Sequence, residues 1–424
     1  MKKKISWLLF SVIFVLFLAG CSGNSNEASG SGVIELTVWN DWTEERPENT
    51  AYKNMIKQFN KEHEDIQVIS ESIPHDQYET KLRTQAAGKQ LPDMFRVWPG
   101  ARLKPLVEGN AVLSLNPIMD NWRDKIPEGI LKDYAFNEEQ YAIPANISET
   151  SLIFYNKDII QQAGYNEFPS SYEGLKKLIA EVNNMGTTPI SLGNKAVWPL
   201  QSVYISTIAD RFTGSEFLPN TLEGEGTFEN GQFIKALTVI QELSEMDAFN
   251  VDMNTLDEAQ SRNEFIAGNA AMHFAGSWAI GPILDNVENT DNIGVAPFPS
   301  FAEGEGNQNK IAGVAGGGIA VNSSLSEEKQ QAAFKFLKFF YGNQLYQELA
   351  KANIIVPVEV EVDGAPEVYK KANSFAQNGL APVYDATLPP NVTDVINNGL
   401  QSITLGEKTP EELAADMQEE LENE

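Results

Sequence analysis

The chain predicts an α/β protein of two lobes, on three observations. Apolar β-branched runs alternate with stretches of helical period along its length, the pattern of strands interleaved with helices. Of the 424 residues, 42% are hydrophobic and 10% aromatic, which suits a packed interior. Roughly 390 residues behind the N-terminal segment exceed what a single hydrophobic core supports, so two lobes are expected.

The elements follow in order. Residues 33–39 (VIELTVW) form a β-branched run, and residues 49–63 place Tyr52, Met55, Ile56 and Phe59 on one helical face. Residues 66–73 read as the next strand, 78–87 as a helix, and 92–98 (PDMFRVW) as a third strand. Residues 170–186 form a strongly signalled helix: Ser170 and Glu173 are spaced for a capping box, Leu175, Leu178, Ile179 and Val182 make the apolar stripe, and Gly186 ends it. Helices are also expected over 233–246, 326–341 and 409–422. The last opens with Thr409 as cap, Pro410 at the first helical position and Glu412 closing a capping box.

Lys2, Lys3 and Lys4 precede an apolar run to Gly20, the basic and hydrophobic regions of a secretory signal, assigned to residues 1–20. Sixteen residues, with serine and tryptophan among them, are short of the ~20 a spanning helix needs. Leu18-Ala19-Gly20-Cys21 resembles the lipobox of bacterial lipoproteins, which makes the only cysteine, Cys21, the lipidation site and the mature N-terminus. Residues 21–32, without a large apolar side chain, read as a flexible tether from a lipid anchor on the extracytoplasmic face of the cell membrane. Removing the three lysines takes the formal charge from -28 to -31. Such a surface repels phosphate backbones, so nucleic acid is excluded as a partner.

Catalytic patterns are sparse. His63, His75 and His273 are too scattered for a zinc motif, and no metal or cofactor is expected. Residues 313–318 (GVAGGG) lack phosphate-loop spacing and read as a hinge or close-packed strand entry. Asp252, Asn254 and Asp257 lack the glycine of a calcium loop and read as a solvated face. Two carboxylates suffice for glycoside hydrolysis, so an exported glycosidase or lyase stays open, as does a binder of a polyamine or polyol. The tryptophans stand out. Trp42, Trp98, Trp198 and Trp278 sit at strand ends or beside Gly or Pro, where an open α/β sheet binds ligands and where indole can stack on the C-H face of a sugar. Trp122 reads as packing.

The ordered segments TVW, PDMFRVW, YAIP, LIFYNKDI, NEFIAGNAAMHFAGSWAI and GGGIAV resemble the bacterial extracellular solute-binding proteins of carbohydrate ABC importers. The resemblance implies a two-lobed periplasmic-binding-protein-like fold with hinge crossovers and an interlobe cleft. Lobe one takes residues 33–146 and 309–358, lobe two 147–297 and 365–424, with 298–308 and 359–364 as hinge segments. It implies capture of a neutral carbohydrate, an oligosaccharide, by a monomeric, membrane-tethered receptor that delivers it to the permease subunits without chemistry on the ligand. Carried over by motif, the ligand-binding residues are Asp41, Trp42, Trp98 and Arg102 from lobe one, and Glu149, Asn194, Trp198 and Trp278 from lobe two or its edge. Asp76 joins them from IPHDQY, and Gly316 and Gly317 from the crossover. Lys195 and the segment at Pro389 stand where the maltose-binding member has aromatic rings; Tyr384 and Asp385 lie near as substitutes. Each polar residue also has a plain reading: Asp41 as a helix cap, Arg102 as an ion-paired helix start, Glu149 as a surface charge.

Overall fold

A computed structural model describes residues 32–360, 362, 364–375 and 378–423 of the chain. Cys21, the leader and the tether up to residue 31 lie outside the described residues.

Two four-stranded sheets form the frame. In the first, Ile34–Asn40 runs parallel to Ile66–Ser72 on one side and Met94–Val97 on the other, and Gly318–Val321 closes that edge antiparallel to Met94–Val97. In the second, Leu152–Asn156 and Ala270–Ala275 are the inner, antiparallel strands, flanked by Ile293–Pro297 and Thr188–Ser191. Ala270–Ala275 (AAMHFA) is buried at every position, as an apolar run covered on both faces must be. A third, smaller sheet joins Ile147–Glu149, Ile311–Ala315 and Leu380–Ala381.

Each large sheet has its own core. Tyr52, Met55, Ile56 and Phe59 of the helix Pro47–Glu62 pack with Leu36, Val38, Leu337 and Phe340 on the first. Leu175, Leu178, Ile179 and Val182 pack with Leu237, Ile240, Leu400, Leu413 and Met417 on the second. The chain therefore returns: helix Glu327–Phe340 covers the first sheet, whereas Pro390–Thr404 and Pro410–Glu422 cover the second. Ile311–Ala315, read from sequence as lobe one, belongs to the connecting sheet. Gly316 and Gly317 carry the chain from it into Gly318–Val321 of the first sheet.

Local signals place the helix ends to within a residue or two. Thr409 and Glu412 form the expected capping box, with reciprocal contacts of 3.2 and 2.8 Å. At Tyr172–Asn184 the cap is Ser171, whose Oγ accepts from the Gly174 N–H at 3.2 Å, rather than Ser170. The reason is tertiary. The Ser170 carbonyl accepts from the Ser300 N–H at 2.9 Å, which holds Ser170 in the chain leading in and starts the helix one residue later.

Candidate functional site

A cavity of about 340 Å3 lies between the two sheets and draws on residues from both. Asp41, Asp76, Trp98 and Arg102 line it from the first lobe; Trp198, Trp278 and Asp385 line it from the second. An adjoining cavity of about 220 Å3 shares His75, Asp76, Trp98, Arg102, Trp198 and Asp385 and continues to Thr393, Asp394 and Asn397, so the space is elongated. A wider groove of about 750 Å3 beside Tyr155 and Phe168 is walled by second-lobe segments together with Phe298, Pro299, Ser300, Gln308 and Asn309 of the chain that follows the strand Ile293–Pro297. It brings together none of these groups.

The floor of the cleft is a triad of Asp41, Arg96 and His75. Asp41 follows the first strand and is nearly buried; it pairs with Arg96 and accepts from His75 Nδ1 at 2.7 Å. Burial by itself raises a carboxyl, but here the Arg96 guanidinium and His75 outweigh it and hold Asp41 well below the usual carboxylate range. Arg96 lies in the strand Met94–Val97 and Trp98 directly follows it, two residues on and on the same side. The Arg96 guanidinium lies 5.2 Å from the Trp98 ring centroid and that of Arg102 5.3 Å, so Trp98 is a platform for two arginines. Arg102 reaches Asp385 of the other lobe at 3.1 Å and Glu79 at 3.4 Å.

Above the triad an aromatic row crosses from lobe to lobe. His75 stands edge-on to Trp98 (5.5 Å, 78°) and to Trp198 (6.0 Å, 73°), and Trp198 stands edge-on to Trp278 (5.9 Å, 61°). At the cleft's other lip Arg46 meets Glu258 at 3.4 Å and Arg262 meets Glu44 at 3.1 Å. Glu258 is half-buried, and Arg262, His273 and Arg46 outweigh its desolvation and hold its carboxyl far down.

Several residues singled out from sequence stand elsewhere. Trp42 is 2% exposed and stacks on Tyr52 (4.8 Å, 29°) inside the first core. Its backbone N–H donates to Asn40 Oδ1, a tight turn that aims Asp41 at the cleft and Trp42 beneath the helix Pro47–Glu62. Tyr384, 3% exposed, lies parallel to Phe233 (6.0 Å, 6°) in the second core, while its neighbour Asp385 faces the cavity. Glu149 has its flanking residues Ser148 and Thr150 on the cavity wall, so strand alternation turns it to the other side. It is completely buried, neither carboxyl oxygen has a hydrogen-bond partner, and burial pushes it up to about 8. Asn194 is buried too. Its Oδ1 accepts from Leu200 N–H at 3.4 Å and its Nδ2 donates to Asn254 at 3.1 Å, bracing the loop that carries Trp198.

Gly316 and Gly317 do not line the cavity. A Cβ would come within 2.3 Å of Asn146 Oδ1 at the first and of Arg96 Nε at the second, so they make room for two cleft side chains. Arg96, Arg46 and Glu258 carry no motif that marks them in the sequence, and His75 stands out there only as one of three scattered histidines. Arg96 was legible, since it shares strand parity with Trp98; the others depend on long-range contacts. Trp122 is core, its indole N–H donating to the Tyr341 carbonyl at 2.9 Å. Among the described residues no group of three or more His, Cys, Asp or Glu could hold a metal ion, and no helix is long and apolar enough to cross a membrane.

Residues 43–347 match the family model described as bacterial extracellular solute-binding protein. The chain belongs to that family. An ABC transporter extracellular-binding protein of Pyrococcus horikoshii is 28% identical over 297 residues, 66% of this chain and 65% of its own length. The match thus spans just under two thirds of that relative. The multiple sugar-binding protein of Streptococcus mutans is 24% identical over 392 residues, 90% of this chain and 86% of its own. In fold, the solute-binding chain resembles a solved chitin oligosaccharide binding protein with a TM-score of 0.85 at 22% identity, covering 92% of this chain and 98% of that one. The two-lobed architecture is the one such receptors share, with the cleft between the lobes.

Proposed function

We propose that this solute-binding protein captures a neutral carbohydrate of more than one ring in the interlobe cleft and delivers it to the permease of an ABC importer. The observation that carries the reading is the row Trp98, His75, Trp198 and Trp278, which crosses both lobes over an elongated cavity. Indole faces accept the C-H face of a sugar, and the carboxylates and amides around them accept hydroxyl protons. Charge supports a neutral ligand. Arg46, Arg96 and Arg102 are each ion-paired with carboxylates, so their charge is already matched, while Asp76 and Asp257 add negative charge to the wall. Relatives named for sugar binding support the same class. The division into lobe one (33–146, 309–358) and lobe two (147–297, 365–424) is part of the proposal, apart from the strands Ile147–Glu149, Ile311–Ala315 and Leu380–Ala381, which form the connecting sheet, with sugar drawing the lobes together.

The test is a thermal-shift screen over maltotriose, raffinose, N,N'-diacetylchitobiose, putrescine and glycerol 3-phosphate, followed by calorimetric titration. A ligand at 100 times its dissociation constant stabilises by about 2.7 kcal/mol. At least one neutral sugar should bind and be recovered uncleaved. Binding of putrescine or glycerol 3-phosphate alone would replace this reading. Trp278→Ala should weaken sugar binding by at least about 1.4 kcal/mol, about tenfold, from lost stacking and lost burial. Trp122→Phe, altered in the core of the first lobe, should leave affinity unchanged.

The anchor belongs to the same proposal. LAGC followed by a small, polar tether supports acylation of Cys21 and so a receptor held on the extracytoplasmic face of the membrane beside its permease. Cys21→Ser should move the protein from the membrane fraction to the soluble one without changing its melting temperature. A variant that stays membrane-bound through a high-salt wash refutes the lipid anchor.

A further inference from the structure

Trp278 lies directly on a glycine. A Cβ built on Gly276 would stand 2.0 Å from Cζ3 of the indole and 2.4 Å from both Cε3 and Cη2. All three are ring carbons, so no flexible chain end is there to move aside; the whole indole must shift. The backbone at Gly276 is ordinary extended chain, φ -89° and ψ -176°, which any L-residue adopts. What position 276 needs from glycine is therefore the space above its Cα and not its conformational freedom.

The indole's other boundaries are equally definite. Trp198 stands edge-on to it, and it packs partly buried against two clusters of the second lobe's core. With Gly276 beneath it, its remaining surface lines the cavity. Seated this way, the ring plane has one height and one tilt relative to the cleft.

We propose that Gly276 is a positioning residue for ligand recognition: by leaving the space under the indole empty, it sets the plane of Trp278 and so which sugar face the cleft accepts. The inference rests on the carbohydrate reading above. A methyl group at 276 displaces the indole and so changes the space a sugar ring enters.

Gly276→Ala tests it, compared with Trp278→Ala and with the double variant, by calorimetric titration of whichever of maltotriose, raffinose or diacetylchitobiose binds most tightly. Gly276→Ala should fold, melt close to the parent and bind at least tenfold more weakly. In the Trp278→Ala background the same change should cost nothing, because the ring it displaces is gone. Equal losses in both backgrounds, or parental affinity in Gly276→Ala, overturn the proposal. If Gly276→Ala fails to fold, the double variant decides: it should fold as Trp278→Ala does, because the ring the methyl displaces is gone, and a double variant that also fails to fold overturns the proposal. A readout without ligand accompanies the titration. The near-ultraviolet dichroism that Trp278→Ala removes should be altered in Gly276→Ala, and an unchanged spectrum also overturns the idea. Parental affinity in Trp278→Ala itself sinks the stacking role under Proposed function, whereas a weak Trp278→Ala beside a normal Gly276→Ala sinks only the inference about the glycine.

Discussion

Glu149→Gln should stabilise the protein at neutral pH by about 3 kcal/mol and leave it unchanged near pH 4. Glu149 is fully buried with both carboxyl oxygens unpartnered, and burial lifts its pKa to about 8. In the unfolded chain the same group titrates at an ordinary 4.5. The folded state therefore holds a proton that the unfolded state has released, and the cost of holding it grows as pH rises from about 4.5 to about 8, then levels off. Below that window both states are protonated and the cost vanishes. Glutamine is neutral throughout, keeps the shape, and carries none of this penalty. Melting curves of parent and variant at pH 4, 6, 7 and 9 provide the check. The gap should open with pH and saturate near pH 9. A constant gap, or one that closes with pH, means that Glu149 has a partner in solution. Sugar affinity should not change, because the side chain points away from the cleft.

Asp41→Ala should destabilise the first lobe by about 3 kcal/mol at pH 7, the lower end of the range for breaking a buried pair by removing one partner. The substitution leaves Arg96 charged beside the Trp98 ring and removes the acceptor of His75 Nδ1. The lower end applies because the Arg96 side chain is 19% exposed, and water offsets part of the loss. The sign with pH is opposite to that of Glu149. Asp41 is held below its ordinary range, so the stability it contributes is complete above pH 4 and disappears only as acid protonates the folded form. Chemical denaturation at pH 7 measures the loss. Asp41→Ala/Arg96→Met should be less destabilised than Asp41→Ala alone, since the stranded charge is gone. A loss under 1 kcal/mol, or an additive double variant, contradicts a tightly coupled pair. Sugar binding should also weaken, as His75 stands between Trp98 and Trp198 in the aromatic row.

Much of this protein is written locally. Period-2 runs and helical stripes are set by which side chains must be buried, so VIELTVW, PDMFRVW and the stripe Leu175, Leu178, Ile179 and Val182 became the strands and helix they suggest. Caps are equally local, as at Thr409. Trp98, Trp198 and Trp278 were legible because each follows or adjoins a chain-turning residue, and all three line the cleft.

What the sequence by itself determined, then, was the α/β alternation, the residues forming each element and the aromatic character of one site. Only the tertiary structure decided parity and partnership. Asp41 faces the cavity and Trp42 the core; Asp385 faces it and Tyr384 does not; Ser148 and Thr150 line it while Glu149 is turned inward. In each case neighbours in sequence point to opposite sides, and which side is the cleft depends on where segments hundreds of residues away pack. The same holds for ion pairs. Asp41 and Arg96 are 55 residues apart, and Arg102 and Asp385 come from different lobes. A charge shows its sign in the sequence, but its partner is selected by distance in space, and distance is a property of the folded chain.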